Sequence, residues 1–101
     1  MNINIDYLRP LLLIARAYEG RDPWRGDAQE AAANPGYLHW EGVRCPSGAV
    51  NDWGESFYRT ITLYCADSKG NVSHIVVHEC TLSDALYVVT EAYQALLTGE
   101  E

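Results

Sequence analysis

The sequence predicts an α+β domain, residues 1–101, in which a three-stranded antiparallel sheet packs against an N-terminal helix, a short helix and a long C-terminal helix. Three observations predict this fold, with its elements in the order α-α-β-β-β-α. Residues 57–80 alternate apolar and polar side chains on both sides of a glycine-containing turn, which is typical of a β-hairpin. Residues 81–101 repeat apolar side chains at helical spacing. The length of 101 residues allows one domain with its own core.

The N-terminal helix is expected to begin between Asp6 and Pro10 and to stop at Gly20, because aspartate caps helices and proline is tolerated near the first turn. Its main apolar stripe consists of Leu8, Leu11, Leu12, Ala15 and Tyr18. Leu13 and Ile14 widen the apolar surface beyond one face. A helix with so much apolar surface is covered on two sides or contributes to a dimer contact.

Turn signals separate two shorter elements between this helix and the hairpin. After a turn-rich link, Asp27 and Glu30 have the spacing of a capping box and predict a short helix that ends before Pro35. Residues 37–45 are rich in aromatic and β-branched side chains and predict the first strand. Residues 46–56 form a long loop rich in Gly, Ser, Asn and Asp, a composition typical of functional or mobile connections.

The register of the hairpin follows from the alternation of its residues. A three-residue turn centred on Lys69 pairs Leu63 with Ile75 and Ile61 with Val77. A shift of one residue would oppose apolar to polar side chains along the whole ladder, so parity excludes it. These four apolar residues form one face of the hairpin.

The rim and the second face of the hairpin are more polar. Arg59 lies opposite Glu79 and is expected to form an ion pair with it at the rim. The side chains expected on the second face are Tyr58, Thr60, Thr62, Tyr64, Val72, His74, Val76, His78 and Cys80.

The C-terminal helix has the clearest helical periodicity in the chain. Thr81 and Asp84 have capping spacing, and Gly99 is placed to terminate the helix. Its apolar arc consists of Leu82, Ala85, Leu86, Val89, Ala92, Tyr93, Leu96 and Leu97. Its polar arc consists of Ser83, Asp84, Tyr87, Glu91, Gln94 and Thr98. The apolar arc is expected to cover the apolar face of the hairpin.

No set of residues predicts catalysis, and neither a cofactor nor a metal is expected. In a strand, His74 and His78 are about 13 Å apart at about 3.3 Å per residue, whereas the ligands of one zinc ion lie about 2 Å from it. Cys80 could contact His78, but apart from the start of the last helix just after Cys80 nothing in the sequence supplies an environment that would activate the thiol. The chain's three cysteines, Cys45, Cys65 and Cys80, lack CxxC spacing, which predicts free thiols in a reducing, cytoplasmic compartment.

The charge pattern favours a basic partner. The net charge is −7, and residues 70–101 contain five carboxylates and no Lys or Arg. Such a surface repels nucleic acid and attracts a basic protein surface. The partner-binding residues predicted on the polar arc of the last helix are Asp84, Tyr87, Glu91 and Gln94. Those predicted in turn-rich segments, where large aromatics often anchor interfaces, are Trp24, Trp53, Asp52 and Glu55.

In its size, its acidity and its lack of catalytic motifs, the chain resembles the small phage-encoded anti-CRISPR inhibitors, which share no single fold. The resemblance implies a non-enzymatic DNA mimic in the cytoplasm of a host cell, present as a monomer or a homodimer. Its partner would be a basic, nucleic-acid-handling protein, such as a Cas effector subunit, whose DNA-receiving channel or PAM-reading site it occupies. No direct binding to nucleic acid or to a membrane is implied, and no site positions carry over.

Two other classes of function are compatible with the sequence. A small ligand-binding domain or enzyme would use the sheet face that carries Tyr58, Tyr64, His74 and His78, with the 46–56 loop as part of a pocket. A structural or assembly subunit would dimerise through the apolar first helix. A pocket lined by those histidines favours the first class, and a flat acidic face with exposed tryptophan favours the inhibitor.

Overall fold

The computed structural model describes the backbone of residues 5–18 and 22–98 and the side chains of residues 10–18 and 22–95. The predicted α+β class is confirmed. The elements are α1 Ile5–Tyr18, β1 Trp24–Arg25, α2 Ala28–Ala33, β2 His39–Arg44, β3 Tyr58–Ala66, β4 Val72–Cys80 and α3 Leu82–Thr98. The four strands of the described chain form one sheet in the order β1-β2-β3-β4. The sheet is mixed, because β1 is parallel to β2 while the other pairs are antiparallel.

The prediction of a three-stranded antiparallel sheet is therefore wrong in one respect, the extra strand β1. The backbone N–H of Trp24 donates to the carbonyl of Leu38 at 2.9 Å, and that of Gly26 donates to the carbonyl of Trp40 at 2.8 Å. Pro23, which has no N–H to contribute, immediately precedes the strand. A strand of two residues shows no alternation, so the sequence of this segment indicated only a turn-rich link.

The predicted register of the hairpin between β3 and β4 is confirmed. Leu63 lies opposite Ile75 and Ile61 lies opposite Val77. The turn spans three residues, and its glycine, Gly70, has a φ of 84°, which residues with a side chain rarely adopt. Ile61 and Leu63 are fully buried, so this face of the sheet carries the core.

Two residues predicted on the second face, Tyr58 and Cys80, lie in the core instead. The pairing of β3 with β2 skips Arg59, which is therefore the extra residue of a β-bulge. On the neighbouring strand Glu79 has a φ of 48°, in the left-handed region. Each irregularity interrupts the two-residue alternation, and the side chain beyond it turns to the opposite face of the sheet.

Helices α1 and α3 cover the core face together. Helix α3 contacts this face as expected, and α1 makes the larger share of the contacts with β3 and β4 and also packs against α3. Helix α1 is thus covered on two sides. Its buried residues are Leu11, Ile14 and Ala17. The buried face of α1 differs from the predicted apolar stripe, because Ile14, outside the stripe, is fully buried whereas Leu12, within it, is partly exposed.

Helix α1 begins at Ile5, just before the predicted range, and Pro10 lies inside it. Helix α3 follows the prediction over its described side chains, with Ala85, Leu86 and Val89 buried. Gly20 and Gly99, where the two helices were predicted to end, lie outside the described residues. The described side chains also do not include those of Asp6, Leu8, Leu96, Leu97 and Thr98.

Helix α2 forms as predicted and covers one end of the opposite sheet face. The carboxylate of Asp27 caps it by accepting a hydrogen bond from the N–H of Glu30 at 3.1 Å. Ala31 is fully buried, although it does not belong to the main core cluster. The buried His39 lies beneath this end, next to Gly26. The rest of this face, which we call the outer face, carries Glu41, Val43, Thr60, Thr62, Tyr64, His74, Val76 and His78.

Candidate functional site

The segment from 46 to 56, expected to be functional or mobile, folds as a small hairpin. Val50 and Ser56 form an antiparallel bridge, and Asn51 and Glu55 close the turn between them through a backbone hydrogen bond of 2.9 Å. The side-chain oxygen of Asn51 also accepts hydrogen bonds from the N–H groups of Trp53 and Glu55, at 3.0 and 2.9 Å. This network places Trp53 at the tip, where 84% of its surface is exposed.

The same geometry occurs in the hairpin turn between β3 and β4. There the carboxylate of Asp67 accepts from the N–H groups of Lys69 and Asn71, at 2.9 and 3.0 Å. In both turns the fourth residue is a glycine with positive φ, Gly54 and Gly70. The shared pattern, Asn or Asp followed by Gly three residues later, is a sequence signal that would have identified the first turn as ordered.

Helix α3 begins with the capping box that its sequence predicts. The N–H of Asp84 donates to the hydroxyl of Thr81 at 3.1 Å, and the N–H of Thr81 donates to the carboxylate of Asp84 at 3.2 Å. Thr81 is buried, so the first turn of the helix has a fixed position on the sheet. The polar arc then lies on the exposed side of α3, where Ser83, Asp84, Tyr87, Glu91 and Gln94 are all exposed.

One hydrogen bond joins this helix to the small hairpin. The hydroxyl of Ser83 donates to the carboxylate of Glu55, which also accepts from the side-chain amide of Asn51 at 3.0 Å. These two hydrogen bonds lower the pKa of the Glu55 carboxyl below its usual value. The nearby charge of Asp84 acts in the opposite direction but does not outweigh them. Glu55 therefore stays ionised beside the first turn of α3.

Further along α3, an aromatic side chain lies between the acidic residues. Glu91, one turn later, raises the pKa of Tyr87 as a hydrogen-bond acceptor and through its negative charge, and 64% of the tyrosine is exposed. Residues three and four positions apart are neighbours on a helix surface, so Ser83, Tyr87 and Glu91 form a continuous row. From Ser83 to Gln94 this row is about 16 Å long, at about 1.5 Å per residue.

The structure thus combines two groups of predicted residues into one surface, which we call the acidic patch. Its members are Asp52, Trp53, Glu55, Ser83, Asp84, Tyr87, Glu91 and Gln94. The sequence around it is one-sided in charge, because residues 46–58 contain two carboxylates, residues 70–101 contain five, and neither segment has Lys or Arg. Those seven carboxylates equal the whole net charge of −7. The rest of the chain is electrically balanced.

The predicted partner-binding residue Trp24 does not belong to this patch. It lies on β1, which in the described part of the chain contacts only β2 among the helices and strands. Its ring stacks on Tyr37 with centroids 5.0 Å apart and meets His39 edge-on at 5.7 Å. The neighbouring Arg25 places its guanidinium 5.1 Å from the ring centroid of Trp40. Trp24 is therefore part of an aromatic cluster on the edge strand β1.

One of the four residues predicted to form a ligand-binding or catalytic site on the outer face does not lie on that face. Tyr58 lies in the core, where it meets Trp40 edge-on at 5.5 Å. Tyr64 and His74 remain together, with ring centroids 6.3 Å apart. Partial burial and a hydrogen bond to the carboxylate of Glu41 raise the pKa of Tyr64 to about 12, so this hydroxyl stays protonated at neutral pH.

The thiol of Cys80 and the imidazole of His78 lie on opposite faces of the sheet. Cys80 is buried and its sulfur contacts the carbonyl of Val77 at 3.8 Å, whereas His78 is exposed on the outer face. Burial raises the pKa of the Cys80 thiol, which disfavours the reactive thiolate. The cysteines are free, as predicted.

Among the residues that the structure describes, no three side chains of His, Cys, Asp or Glu lie close enough together to hold a metal ion. No helix in the same part of the chain has both the length and the apolar character needed to cross a membrane. In comparisons with known proteins, no family model, no curated protein and no solved structure matches this chain.

Proposed function

We propose that this chain is a non-enzymatic binding protein whose acidic patch docks on the basic, nucleic-acid-binding surface of another protein and keeps nucleic acid away from it. The hydrogen bond between Ser83 and Glu55 carries the proposal, because it joins the two acidic segments of the chain into one surface. Carboxylates attract the Lys and Arg side chains that otherwise neutralise phosphates. The carboxylates of the patch would therefore compete with nucleic-acid phosphates for the same Lys and Arg side chains.

The aromatic residues of the patch support protein binding in particular. Trp53 and Tyr87 are large, exposed side chains of the types that dominate protein interfaces. The Asn51 network fixes the backbone at Trp53, and Tyr87 lies within the regular helix α3. Both aromatics are presented on ordered backbone, so less conformational freedom is lost on binding.

The specific form of the proposal is an anti-CRISPR protein acting in the cytoplasm of a phage-infected cell. Its partner would be a Cas effector subunit, which reads its PAM and holds its heteroduplex through basic surfaces. A surface that binds there without being DNA would act as a DNA mimic and block target binding. The acidic patch meets the charge requirement for such a mimic, and no cofactor, metal or catalytic residue is needed for blocking.

The test uses a panel of purified Cas effector complexes and their target DNA. The chain should reduce DNA binding by one of them, and the inhibition should weaken as salt rises, because the Debye length falls from about 10 Å at 0.1 M to about 3 Å at 1 M. Glu91→Lys should raise the Kd for that effector at least tenfold. The matched control is Asp22→Lys, which changes the net charge equally at an exposed position outside the patch.

Asp84 is left unchanged in this test because its carboxylate caps α3. Trp53→Ala should also weaken the complex, since the side chain is exposed and its removal leaves the Asn51 network in place. The proposal fails if no effector is bound, or if Glu91→Lys and Asp22→Lys bind equally well.

A further inference from the structure

Among the described residues, the backbone of β4 pairs with another strand on one side only. It is the last strand in the sheet order and pairs only with β3 in the described part of the chain. The N–H of Asp67 donates to the carbonyl of Asn71, so alternate pairs further along, such as Leu63 with Ile75, exchange backbone hydrogen bonds. The residues between those pairs direct their N–H and C=O groups away from β3. The four residues with outward-facing backbone groups are Val72, His74, Val76 and His78.

Nothing in the sequence of this edge protects it. Residues 70–78 contain no charged side chain and no proline, although lysine, proline and inward charges are the usual devices that block an edge strand. The regular strand ends where Glu79 adopts its left-handed conformation, which leaves seven residues, 72–78, available for pairing. The chain has a net charge of −7, so two copies repel each other over most of their surfaces. Residues 72–78 carry no carboxylate, so two copies that meet at this strand avoid that repulsion.

The core-facing side of β4 is also incompletely covered. Ile75 and Val77 point to the same face as the fully buried Ile61 and Leu63, yet both remain partly exposed. Helices α1 and α3 therefore leave apolar surface open along this edge. A strand added beside β4 would cover that surface if it carried apolar side chains in the same rows.

We propose that β4 pairs antiparallel with β4 of a second copy of this chain, so that the two sheets become one continuous sheet. A two-fold axis beside Ile75 places Ile75 opposite the partner subunit's Ile75, and His74 opposite the partner subunit's Val76. This register engages all four outward-facing residues and forms about eight backbone hydrogen bonds, two for each hydrogen-bonded pair. It also places the two partly exposed Ile75 side chains in contact, with Cβ atoms about 5 Å apart.

This dimer does not depend on the proposed function, because it uses residues 72–78 of the sheet edge and no residue of the acidic patch. Its consequence for binding is that each particle would carry two acidic patches, related by the two-fold axis. Two linked patches bind a partner with two basic sites more tightly than either patch alone.

The first test measures mass by sedimentation over a concentration series of the full chain. The wild type should approach twice its 11.3 kDa as concentration rises. Val76→Lys introduces a charge on the edge strand and should raise the dimer Kd at least tenfold. The matched control is Val43→Lys, since Val43 is 59% exposed and Val76 is 42% exposed on the same outer face, but β2 is an interior strand.

The second test uses hydrogen exchange of individual amides in the unmutated chain. The inward amides of Ile75 and Val77 should be protected at every concentration, whereas those of His74 and Val76 should become protected only as the dimer forms. A chain that stays at 11.3 kDa at every concentration, or outward amides whose exchange does not slow with concentration, would refute the dimer. Equal dimerisation of Val76→Lys and Val43→Lys would refute this interface.

Discussion

The hydroxyl of Ser83 at the start of α3 donates a hydrogen bond to Glu55, which lies 28 residues earlier at the end of a small hairpin turn. Neither residue is close to the other in sequence, and each belongs to a segment without Lys or Arg. This bond combines the acidic end of the turn and the acidic row on the helix into one surface. Its loss should therefore change both the electrostatics of Glu55 and the binding of a partner.

Ser83→Ala should raise the pKa of Glu55 toward its ordinary value of 4.5, because the hydrogen bond from Ser83 is the largest cause of the lowered pKa. In the wild type the ionised carboxylate stabilises the fold above the unfolded-state pKa, and that contribution is lost as the pH falls through the lower folded-state pKa. A carboxyl-resolved NMR titration measures the shift. Ser47→Ala, an exposed serine of the same segment, should leave the titration unchanged. An unshifted Glu55 in Ser83→Ala would contradict the contact.

Gly42→Ala tests the position of Tyr58 in the core. A Cβ atom on Gly42 would lie 2.6 Å from Cδ2 of the Tyr58 ring, and Trp40 packs against the same ring. We expect a loss of about 1–3 kcal/mol in the free energy of unfolding, measured with urea. Val43→Ala on the same strand should change it by less than about 0.5 kcal/mol, because Val43 is exposed. Equal stabilities of the two variants would place Tyr58 on the outer face, as its parity in the sequence suggests.

Thr81→Ala should destabilise α3 because it removes the hydroxyl that accepts the N–H of Asp84. The expected loss is about 1 kcal/mol in the free energy of unfolding, measured by circular dichroism in urea. Thr90→Ala, an exposed threonine in the middle of the same helix, serves as the control and should cost less. If the two threonines prove equivalent, the capping box does not hold the start of the helix.

Tyr64 should ionise near pH 12, later than an ordinary tyrosine. Because its folded-state pKa is raised above the ordinary value of 10.0, its contribution to stability is complete below pH 10 and is lost as the pH rises toward 12. The phenolate absorbance of the wild type minus that of Tyr64→Phe gives the titration of this residue. Glu41→Gln removes the carboxylate that accepts its hydrogen bond and should lower its pKa. A midpoint unaffected by Glu41→Gln would show that the hydrogen bond is not formed.

Local signals in the sequence determined much of this fold. The register of the β3–β4 hairpin followed from parity, because a one-residue slip would expose Ile61 and Leu63. The capping boxes at Asp27 and Thr81 predicted where α2 and α3 begin. Each of these features involves residues within a few positions of one another, or strands joined by a short turn, so composition and spacing are sufficient to reveal it.

Only the tertiary structure decided which distant segments meet. Strand β1 exists because two residues find hydrogen-bond partners on β2, and a two-residue pairing leaves no periodic trace in the sequence. The orientation of Tyr58 and Cys80 depends on the irregular backbone at Arg59 and Glu79, which reverses the alternation without changing composition. The sequence shows that both segments of the acidic patch are acidic. Whether they contact each other depends on where the packed core places the start of α3.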